Sequence, residues 1–474
     1  MSLKKKRYLP IIIFAIAFLL YGNTIYNDYS LDDIYVTQNN PKVMKGLAGI
    51  PEIVTGRYVN EEGNIFGYRP VATITFAIEN KLWGQNPHLG HLINVLLYAL
   101  SIVLLFNLLK KIFREQHILF LLTVVLLFIA HPIHTEVVAS LKNRETLLSF
   151  LFSLISLHLF LKWTDNRKVW QVIAGILAFI IAFLSKQDAV TFAAIIPLAL
   201  FYYTPYQFNY PSLKEIYKHL FGNPNRYITL AGLSFIFFYI TTRGLGAILS
   251  ALSYFSTITF LILYNSHLRK KAPGTKQNKF SWIFIASGVI FFLLMIYTLN
   301  TKFALLSLLL FALFFARISD NKKIKKILTS SGWLPFLIPA ILLSLAAVIF
   351  HKMPNLYLPP EDKMLYHFEN PQFVNSDGYS TWPVAFYSLF FYLKKLIWPH
   401  PLGFYYGYKM IPEVGWTSPE VLISAVFHIA ILAYAVWKLP KKHILSFSIL
   451  YYFTAISIFT NIVIQIPGIV GERM

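Results

Sequence analysis

The most chemically suggestive stretch of the chain is a pair of adjacent aspartates, Asp32 and Asp33, shortly after the first apolar segment. Since a carboxylate is strongly disfavoured in hydrocarbon, the pair is expected at or beyond a membrane interface. Such a pair could act as a general base toward a hydroxyl, or bind a divalent cation through its oxygens. A solvated helix end is the structural alternative, because Asp is common in turns.

Two cationic side chains lie in sequence motifs that suggest binding of a phosphate group. Arg69 lies between Tyr68 and Pro70, and an Arg side chain offers paired donors and keeps its charge. Lys186, in the run Ser185–Lys186–Gln187–Asp188, adds a second cation. For Arg69 the alternative is a side chain that snorkels toward lipid headgroups.

Polar residues at the start of another apolar segment could line the same site. His91 and Asn94 are three positions apart and therefore share one helix face. Ordinary interhelical hydrogen bonding is the alternative for both, because polar groups buried in a span need partners. The further residues expected to line the site are Glu145, Asp188, Glu472 and Arg473.

A short loop rich in histidine is the most unusual feature of the sequence. His131, His134 and Glu136 fall within six residues, a composition that could bind a divalent metal. Pro132 interrupts any helical spacing among them. We therefore favour a polar, hydrogen-bonded floor for a site and keep metal binding as the alternative.

The elements that must position these residues are transmembrane helices. Of the 474 residues, 56% are hydrophobic and 13% charged, and repeated apolar runs approach the roughly 18 residues typical of a span. The chain has no cysteine, which excludes disulfides and thiolate metal sites. The predicted fold class is an all-α polytopic membrane protein with about thirteen spans. They are predicted at 8–23, 91–109, 117–131, 145–161, 169–185, 188–203, 227–242, 244–264, 280–299, 303–316, 332–350, 418–437 and 443–461.

The distribution of charge predicts the orientation of these spans. A net charge of +21 would suggest nucleic acid for a soluble protein, but the positive-inside rule explains it better in this chain. With the N-terminus in the cytoplasm, well over half of the 42 Lys and Arg residues fall on the cytoplasmic side. All the candidate site residues then lie on the outer face. The interiors of the predicted spans contain no Asp, Glu, Lys or Arg, which argues against an ion-coupled transporter.

Two long outer loops, 24–90 and 351–417, are predicted within a single domain 1–474. The first is expected to contain an amphipathic interfacial helix around 43–58. The stretch 384–398 in the second is apolar but short and contains Lys394 and Lys395. We expect it to lie on the outer leaflet or dip into it.

Taken in order, these motifs resemble one family of membrane enzymes. The set is similar to the membrane part of the transmembrane-and-tetratricopeptide protein O-mannosyltransferases and their bacterial relatives, of the GT-C superfamily. The resemblance covers nearly the whole chain. Its motifs are Asp32–Asp33, Tyr68–Arg69–Pro70, Gly84–Gln85–Asn86–Pro87 with His91 and Asn94, His131–Pro132–Ile133–His134–Thr135–Glu136, Asn143–Arg144–Glu145, Ser185–Lys186, Glu369–Asn370–Pro371 and Gly471–Glu472–Arg473.

The resemblance implies a GT-C-like helical bundle that moves a sugar from a polyprenyl-phosphate donor to a hydroxyl with inversion. Mannose is one candidate sugar, and Ser or Thr of an exported protein is the expected acceptor. Asp32 or Asp33 would be the catalytic base, with a slight preference for Asp32. The donor phosphate would meet Arg69, Lys186 and Arg144. Expected partners are membrane lipid, the lipid-linked sugar and a polypeptide or glycan acceptor, but no nucleic acid.

The chain departs from the family at two places, which leaves alternatives open. The family's Ser-Lys-Glu pattern reads Ser185–Lys186–Gln187, and the C-terminal repeat domain is absent, as in a truncated product. Transfer to a lipid-linked or surface glycan is the enzymatic alternative. A non-catalytic flippase or exporter of lipid-linked sugars, or a scaffold, is the alternative outside enzymes. The compact loops favour a bacterial inner membrane.

Overall fold

The computed structural model describes residues 8–56, 67–166, 168–204, 342, 381–403, 406, 411–412, 414–460 and 470–471. All regular secondary structure within these residues is helical, which confirms the all-α class for this part of the chain. The α-helices of the described residues are α1 (Leu9–Tyr21), α2 (Asp33–Val36), α3 (Pro41–Met44), α4 (Ile50–Thr55), α5 (Pro70–Trp83), α6 (Pro87–Ile112), α7 (Ile118–Ala130), α8 (Thr135–Ala139), α9 (Arg144–Asn166), α10 (Val169–Ser185), α11 (Phe192–Tyr203), α12 (Thr381–Ile397), α13 (Pro419–Lys438) and α14 (Ile444–Ile456). Short 3-10 turns cover Gly22–Tyr26, Gly46–Gly49, Pro132–His134, Gln187–Thr191, Leu439–Lys441 and Ser457–Phe459.

Four helical segments of the described residues are long and apolar enough to cross a membrane. They are Leu9–Tyr26, Pro87–Ile112, Arg144–Asn166 and Pro419–Lys441. A fifth is added if Ile118–Ala130 and Pro132–Ala139, which are bent by 50°, are counted as one span. Apolar side chains point outward from these helices, among them Leu19 at 75% exposure and Val426 at 71%. Such a surface suits lipid rather than water, so the chain is a membrane protein.

The predicted number of about thirteen spans is not confirmed. The segments predicted at 169–185, 188–203 and 443–461 are helical and apolar but shorter than 18 residues. Five further predicted spans lie outside the described residues, apart from the single residue 342 in the last of them. They are 227–242, 244–264, 280–299, 303–316 and 332–350.

The main core lies where α1, α6 and α7 pack together. Ile13, Ile102 and Val125 are fully buried there. The hydroxyl of Tyr98 lies 3.4 Å from the carbonyl oxygen of Ile129, which satisfies both groups inside the core. This core fixes the first span against the helices that follow it.

The long helices α6 and α9 share one end at the candidate site. Asn86 caps α6, because its side chain accepts a hydrogen bond from the Leu89 amide at 3.2 Å, and Pro87 follows in the first turn. At a rise of about 1.5 Å per residue, α6 is about 39 Å long and α9 about 34 Å. Both exceed a hydrocarbon thickness of about 30 Å. Their other ends meet where Lys111 pairs with Asp165 at 2.8 Å.

The predicted amphipathic helix around 43–58 is wrong as a single element. In its place α3 is followed by the turn Gly46–Gly49, which continues directly into α4. Gly46 adopts a φ of +60°, and a β-carbon at Gly49 would lie 1.9 Å from the Lys42 carbonyl oxygen. The positive φ of Gly46 therefore interrupts a continuous helix after α3, and the lack of a β-carbon at Gly49 permits the close approach of the Lys42 carbonyl. The helix predicted at 384–398 is observed as α12, and its position relative to a leaflet stays a prediction.

Candidate functional site

Asp33 is fully buried and joins two distant loops. Its Oδ1 accepts hydrogen bonds from the Lys142 amide at 2.8 Å and from the Ser140 hydroxyl at 3.0 Å. Its Oδ2 lies 3.3 Å from the Ser30 amide. These bonds satisfy a carboxylate that burial would otherwise penalise. The segment that follows α1 is thereby fixed to the segment before α9.

Asp32 has different surroundings from its neighbour. It precedes α2, is half-buried, and takes no part in the bonds that hold Asp33. Leu31, immediately before it, adopts a φ of +47°, which a side-chain-bearing residue rarely does. The surrounding contacts therefore hold this turn in its conformation. Because Asp32 is only half-buried, it is the member of the pair that keeps solvent access.

Three cations surround the carboxylate of Glu145 in the first turn of α9. Lys142 Nζ lies 3.1 Å from Oε1, and Arg69 Nε lies 3.5 Å from Oε2. Lys186 Nζ donates to the hydroxyl of the next residue, Thr146, at 3.1 Å. We call Arg69, Lys142 and Lys186 the cation cluster. Their side chains are 22%, 21% and 16% exposed, so the cluster is reachable by a ligand.

The cation cluster and the acids beside it together carry a net positive charge. Asp188 is the second acid beside it, at 3.4 Å from Lys186 Nζ, and Oδ1 of Asp188 accepts from the Ser149 hydroxyl at 3.0 Å. Three cations thus face the two carboxylates of Glu145 and Asp188. The excess would attract an anion such as a phosphate.

Arg144 has a structural role instead of the phosphate contact predicted for it. Its guanidinium is fully buried and donates to the Asn94 side chain at 2.8 Å, the Gly90 carbonyl at 2.9 Å and the Thr75 hydroxyl at 3.1 Å. It also forms an ion pair with Glu79. Burial raises the pKa of Glu79, and the charge of Arg144 opposes that shift. The donors of Arg144 are therefore directed at protein groups rather than at an external phosphate.

His91 and Asn94 support the loops rather than face an open site. Both are buried on one face of α6, as their spacing predicted. The Asn94 amide donates to the Ser140 carbonyl oxygen at 3.0 Å, and His91 Nε2 lies 3.4 Å from the Asp28 carbonyl oxygen. Asn94 therefore holds the same loop that Asp33 holds.

The histidine loop borders a cavity of about 270 Å³. His134 lines it and packs against the Phe128 ring at 4.3 Å between centroids. Its lining also includes Thr146 and Asp188, which contact Lys186. The cavity is otherwise mostly apolar and lies beside the cation cluster.

The other two residues of the histidine loop point elsewhere. A ring nitrogen of His131 lies 2.9 Å from the Leu396 carbonyl oxygen in α12. Glu136 is half-buried, and its carbonyl oxygen accepts from the Asn143 side chain at 3.3 Å. Within the described ranges no group of three His, Asp or Glu side chains is placed to hold a metal ion.

Sequence reasoning missed three residues that shape the site. Glu79 lies in a helix predicted as loop, and its partner Arg144 is 65 residues away. Ser140 and Lys142 lie beside predicted motifs, but nothing in the sequence shows that Asp33 contacts them.

Two residues predicted to line the site, Glu472 and Arg473, lie outside the described residues. The residue before them, Gly471, donates its amide to the Tyr392 hydroxyl at 3.1 Å.

Comparison with known proteins shows a family likeness over part of the chain. It is 33% identical over 162 residues to protein O-mannosyl-transferase TMTC1 of Homo sapiens, covering 33% of this chain and 18% of that protein. It is 27% identical over 219 residues to protein O-mannosyl-transferase TMTC2 of Mus musculus, covering 44% and 26%. It is 29% identical over 197 residues to protein O-mannosyl-transferase F38B6.6 of Caenorhabditis elegans, covering 40% and 27%. The predicted resemblance to this group is thereby confirmed for the matched residues.

The matched part is a minor fraction of each of these relatives, at most 27% of their length. No protein-family model matches the chain. No solved structure matches it either. The three relatives come from animals and do not support the predicted bacterial origin.

Proposed function

We propose that this chain is a membrane-bound glycosyltransferase for protein O-mannosylation. The observation that carries the proposal is the cation cluster beside the acidic pair, joined to it through Asp33 and the Lys142 amide. The names of the relatives, all protein O-mannosyl-transferases, support the same reaction class. The proposed donor is a polyprenyl-phosphate mannose, and the proposed acceptor is a Ser or Thr hydroxyl.

In the proposed reaction the donor phosphate contacts Arg69, Lys142 and Lys186. Asp32 takes the proton of the acceptor hydroxyl as its oxygen attacks the anomeric carbon. The bond from that carbon to the phosphate oxygen breaks, and polyprenyl phosphate leaves with the bonding electrons. Attack from the face opposite the leaving group inverts the configuration. The fixed cations stabilise the charge that develops on the phosphate.

Replacing the proposed base tests the reaction directly. Membranes that contain the full chain are incubated with labelled polyprenyl-phosphate mannose and a Ser/Thr peptide, and labelled peptide and free polyprenyl phosphate are measured. Asp32→Asn should reduce both by about 10²–10⁴-fold, the usual contribution of a general base. Asp28→Asn, at an exposed carboxylate four residues earlier, is the matched control and should retain transfer.

Two outcomes would contradict the proposal. Undiminished transfer by Asp32→Asn would exclude Asp32 as the base, and undiminished transfer by Asp33→Asn as well would exclude the acidic pair. Movement of the lipid-linked sugar across the membrane by the unaltered chain, without release of polyprenyl phosphate, would identify a flippase instead.

The proposed location of the site is the outer face of the membrane, with the N-terminus in the cytoplasm. The support for this orientation is the positive-inside distribution of charge. We propose no particular organism or organelle for this membrane, because the relatives come from animals and do not support a bacterial inner membrane.

A further inference from the structure

The end of the helices opposite the candidate site is strongly basic. We call it the basic end; it comprises the C-terminal ends of α6, α9 and α11 and the turn between α13 and α14. Among the described residues it has two acids, Glu115 and Asp165. Its basic residues are Lys110, Lys111, Arg114, Lys162, Lys168, Lys438, Lys441 and Lys442.

Contacts at the end of α11 bring the distant basic segments together. The Arg114 guanidinium stacks on the Tyr203 ring at 4.4 Å from its centroid, and Lys442 donates to the carbonyl of Thr204. The Phe113 and Phe447 rings pack edge to face at 5.1 Å between centroids. The segments around 113 and 442 therefore form one surface.

The turn between α13 and α14 is held in an unusual conformation. Lys442 adopts a φ of +50°, a region that favours glycine. Its side chain reaches back to Thr204, and the neighbouring Tyr202 hydroxyl donates to the His443 carbonyl at 3.2 Å. These two contacts fix the turn that presents Lys438 and Lys441.

Most of the cations at the basic end are available for an external anion. Lys111 pairs with Asp165 at 2.8 Å, and it is the single member of the set in an ion pair within the described ranges. Lys441 is exposed, and Lys438 Nζ lies 3.9 Å from the Trp437 ring centroid. The local excess of positive charge is therefore not neutralised by these parts of the protein.

Exposed tryptophans mark the same end as a membrane interface. Trp170 is 56% exposed and Trp437 is 63% exposed, and Trp is typical of the headgroup level. The apolar surface of α13 continues from there, with Ile429 at 61% exposure. The cations thus lie where lipid phosphates are the nearest anions.

We propose that the basic end binds the headgroups of anionic phospholipids, with Lys438 and Lys441 as phosphate contacts. The positive-inside rule alone would explain basic residues here as determinants of insertion. Headgroup binding adds a separate expectation, which is that anionic lipid stabilises the inserted, folded protein. This proposal does not depend on the transfer reaction.

The experiment compares thermal unfolding of the purified full chain in two kinds of nanodisc. One contains phosphatidylcholine alone, and the other also contains phosphatidylglycerol. The unaltered chain should unfold at a higher temperature with phosphatidylglycerol. Lys438→Gln/Lys441→Gln should lose at least half of that rise. The matched control Lys45→Gln/Lys81→Gln removes the same charge from the site end, at two exposed lysines, and should keep the rise.

Several outcomes would overturn the proposal. They are no rise for the unaltered chain, an equal rise for both double variants, and an equal rise produced by inorganic phosphate in phosphatidylcholine discs. Should Lys438→Gln/Lys441→Gln fail to fold, the single variant Lys441→Gln replaces it, because Lys441 is exposed. A full rise in that variant would also contradict the proposal.

Discussion

At the residue scale, the two adjacent aspartates differ in what they contact. Asp33 accepts hydrogen bonds from the Lys142 amide and the Ser140 hydroxyl and is fully buried, whereas Asp32 is half-buried. Two residues of the same type thus have different roles, because Asp33 joins two loops and Asp32 stays accessible. This division assigns the proposed chemistry to Asp32 and the support of the loop to Asp33.

Replacement of Asp33 should therefore destabilise the protein. Asp33→Ala leaves the Lys142 amide and the Ser140 hydroxyl without their buried acceptor, which typically costs about 1–3 kcal/mol. The free energy of unfolding, measured by detergent titration, should fall by that amount. Asp28→Ala should change it by less than about 0.5 kcal/mol, as surface substitutions usually do. Equal stability of both variants would contradict the role given to Asp33.

Replacement of Arg69 should weaken donor binding. Arg69→Ala removes one of three cations around the proposed phosphate site, so the KM for the lipid-linked sugar should rise by about tenfold, equivalent to about 1.4 kcal/mol. Lys45→Ala, which removes a cation paired with Glu52 away from the cluster, is the control. An unchanged KM in Arg69→Ala would argue against its contact with the phosphate.

At the element scale, Arg144 connects three helices at the site. It lies at the start of α9 and contacts Glu79 and Thr75 in α5 and Asn94 in α6. Because α5 begins directly after Arg69, this connection also fixes the distance between Arg69 and Glu145. The position of the cation cluster thus depends on a pair that does not itself face the site.

Breaking this pair should cost more stability than replacing both members. Arg144→Met leaves Glu79 buried without its cation, and loss of one partner of a buried pair typically costs about 3–5 kcal/mol. The double variant Arg144→Met/Glu79→Gln should recover part of that loss in unfolding measurements. Strict additivity of the two single changes would show that the pair is not coupled.

The sequence predicted helix positions better than helix contacts. The span predicted at 418–437 begins within one residue of α13, whereas α6 begins at Pro87, four residues before the predicted start at 91. The Asn86 cap and Pro87 account for that earlier start, since capping and proline effects are local. The interruption at Gly46 was missed, because a glycine also occurs within helices. The burial of Arg144 was missed for a different reason. Arg at a helix start looks the same in sequence whether it faces solvent or a carboxylate 65 residues away.

At the scale of the whole molecule, the candidate site and the basic end lie at opposite ends of α6. The candidate site contains the acidic pair and the cation cluster. The length of α6, about 39 Å, exceeds the thickness of a bilayer's hydrocarbon. The two ends are therefore expected on opposite faces of the membrane. The site end faces outward in the proposed orientation.

Engineered thiols can test this orientation, because the chain has no natural cysteine. Gln38 lies at the site end and Gln116 at the basic end, and both side chains are exposed. In sealed vesicles with the outer face outward, an impermeant maleimide should label Gln38→Cys and spare Gln116→Cys. After permeabilisation both should react. Labelling of Gln116→Cys alone before permeabilisation would show that the topology is the reverse of the proposed one.

The bonds of Asp33 to Ser140 and Lys142 also impose an order on biosynthesis. The acidic turn leaves the ribosome more than a hundred residues before its partners do. During that interval Asp33 lacks both of these hydrogen-bond donors. A nascent chain halted before residue 140 should therefore keep the acidic turn open to protease, and one extended through α9 should protect it.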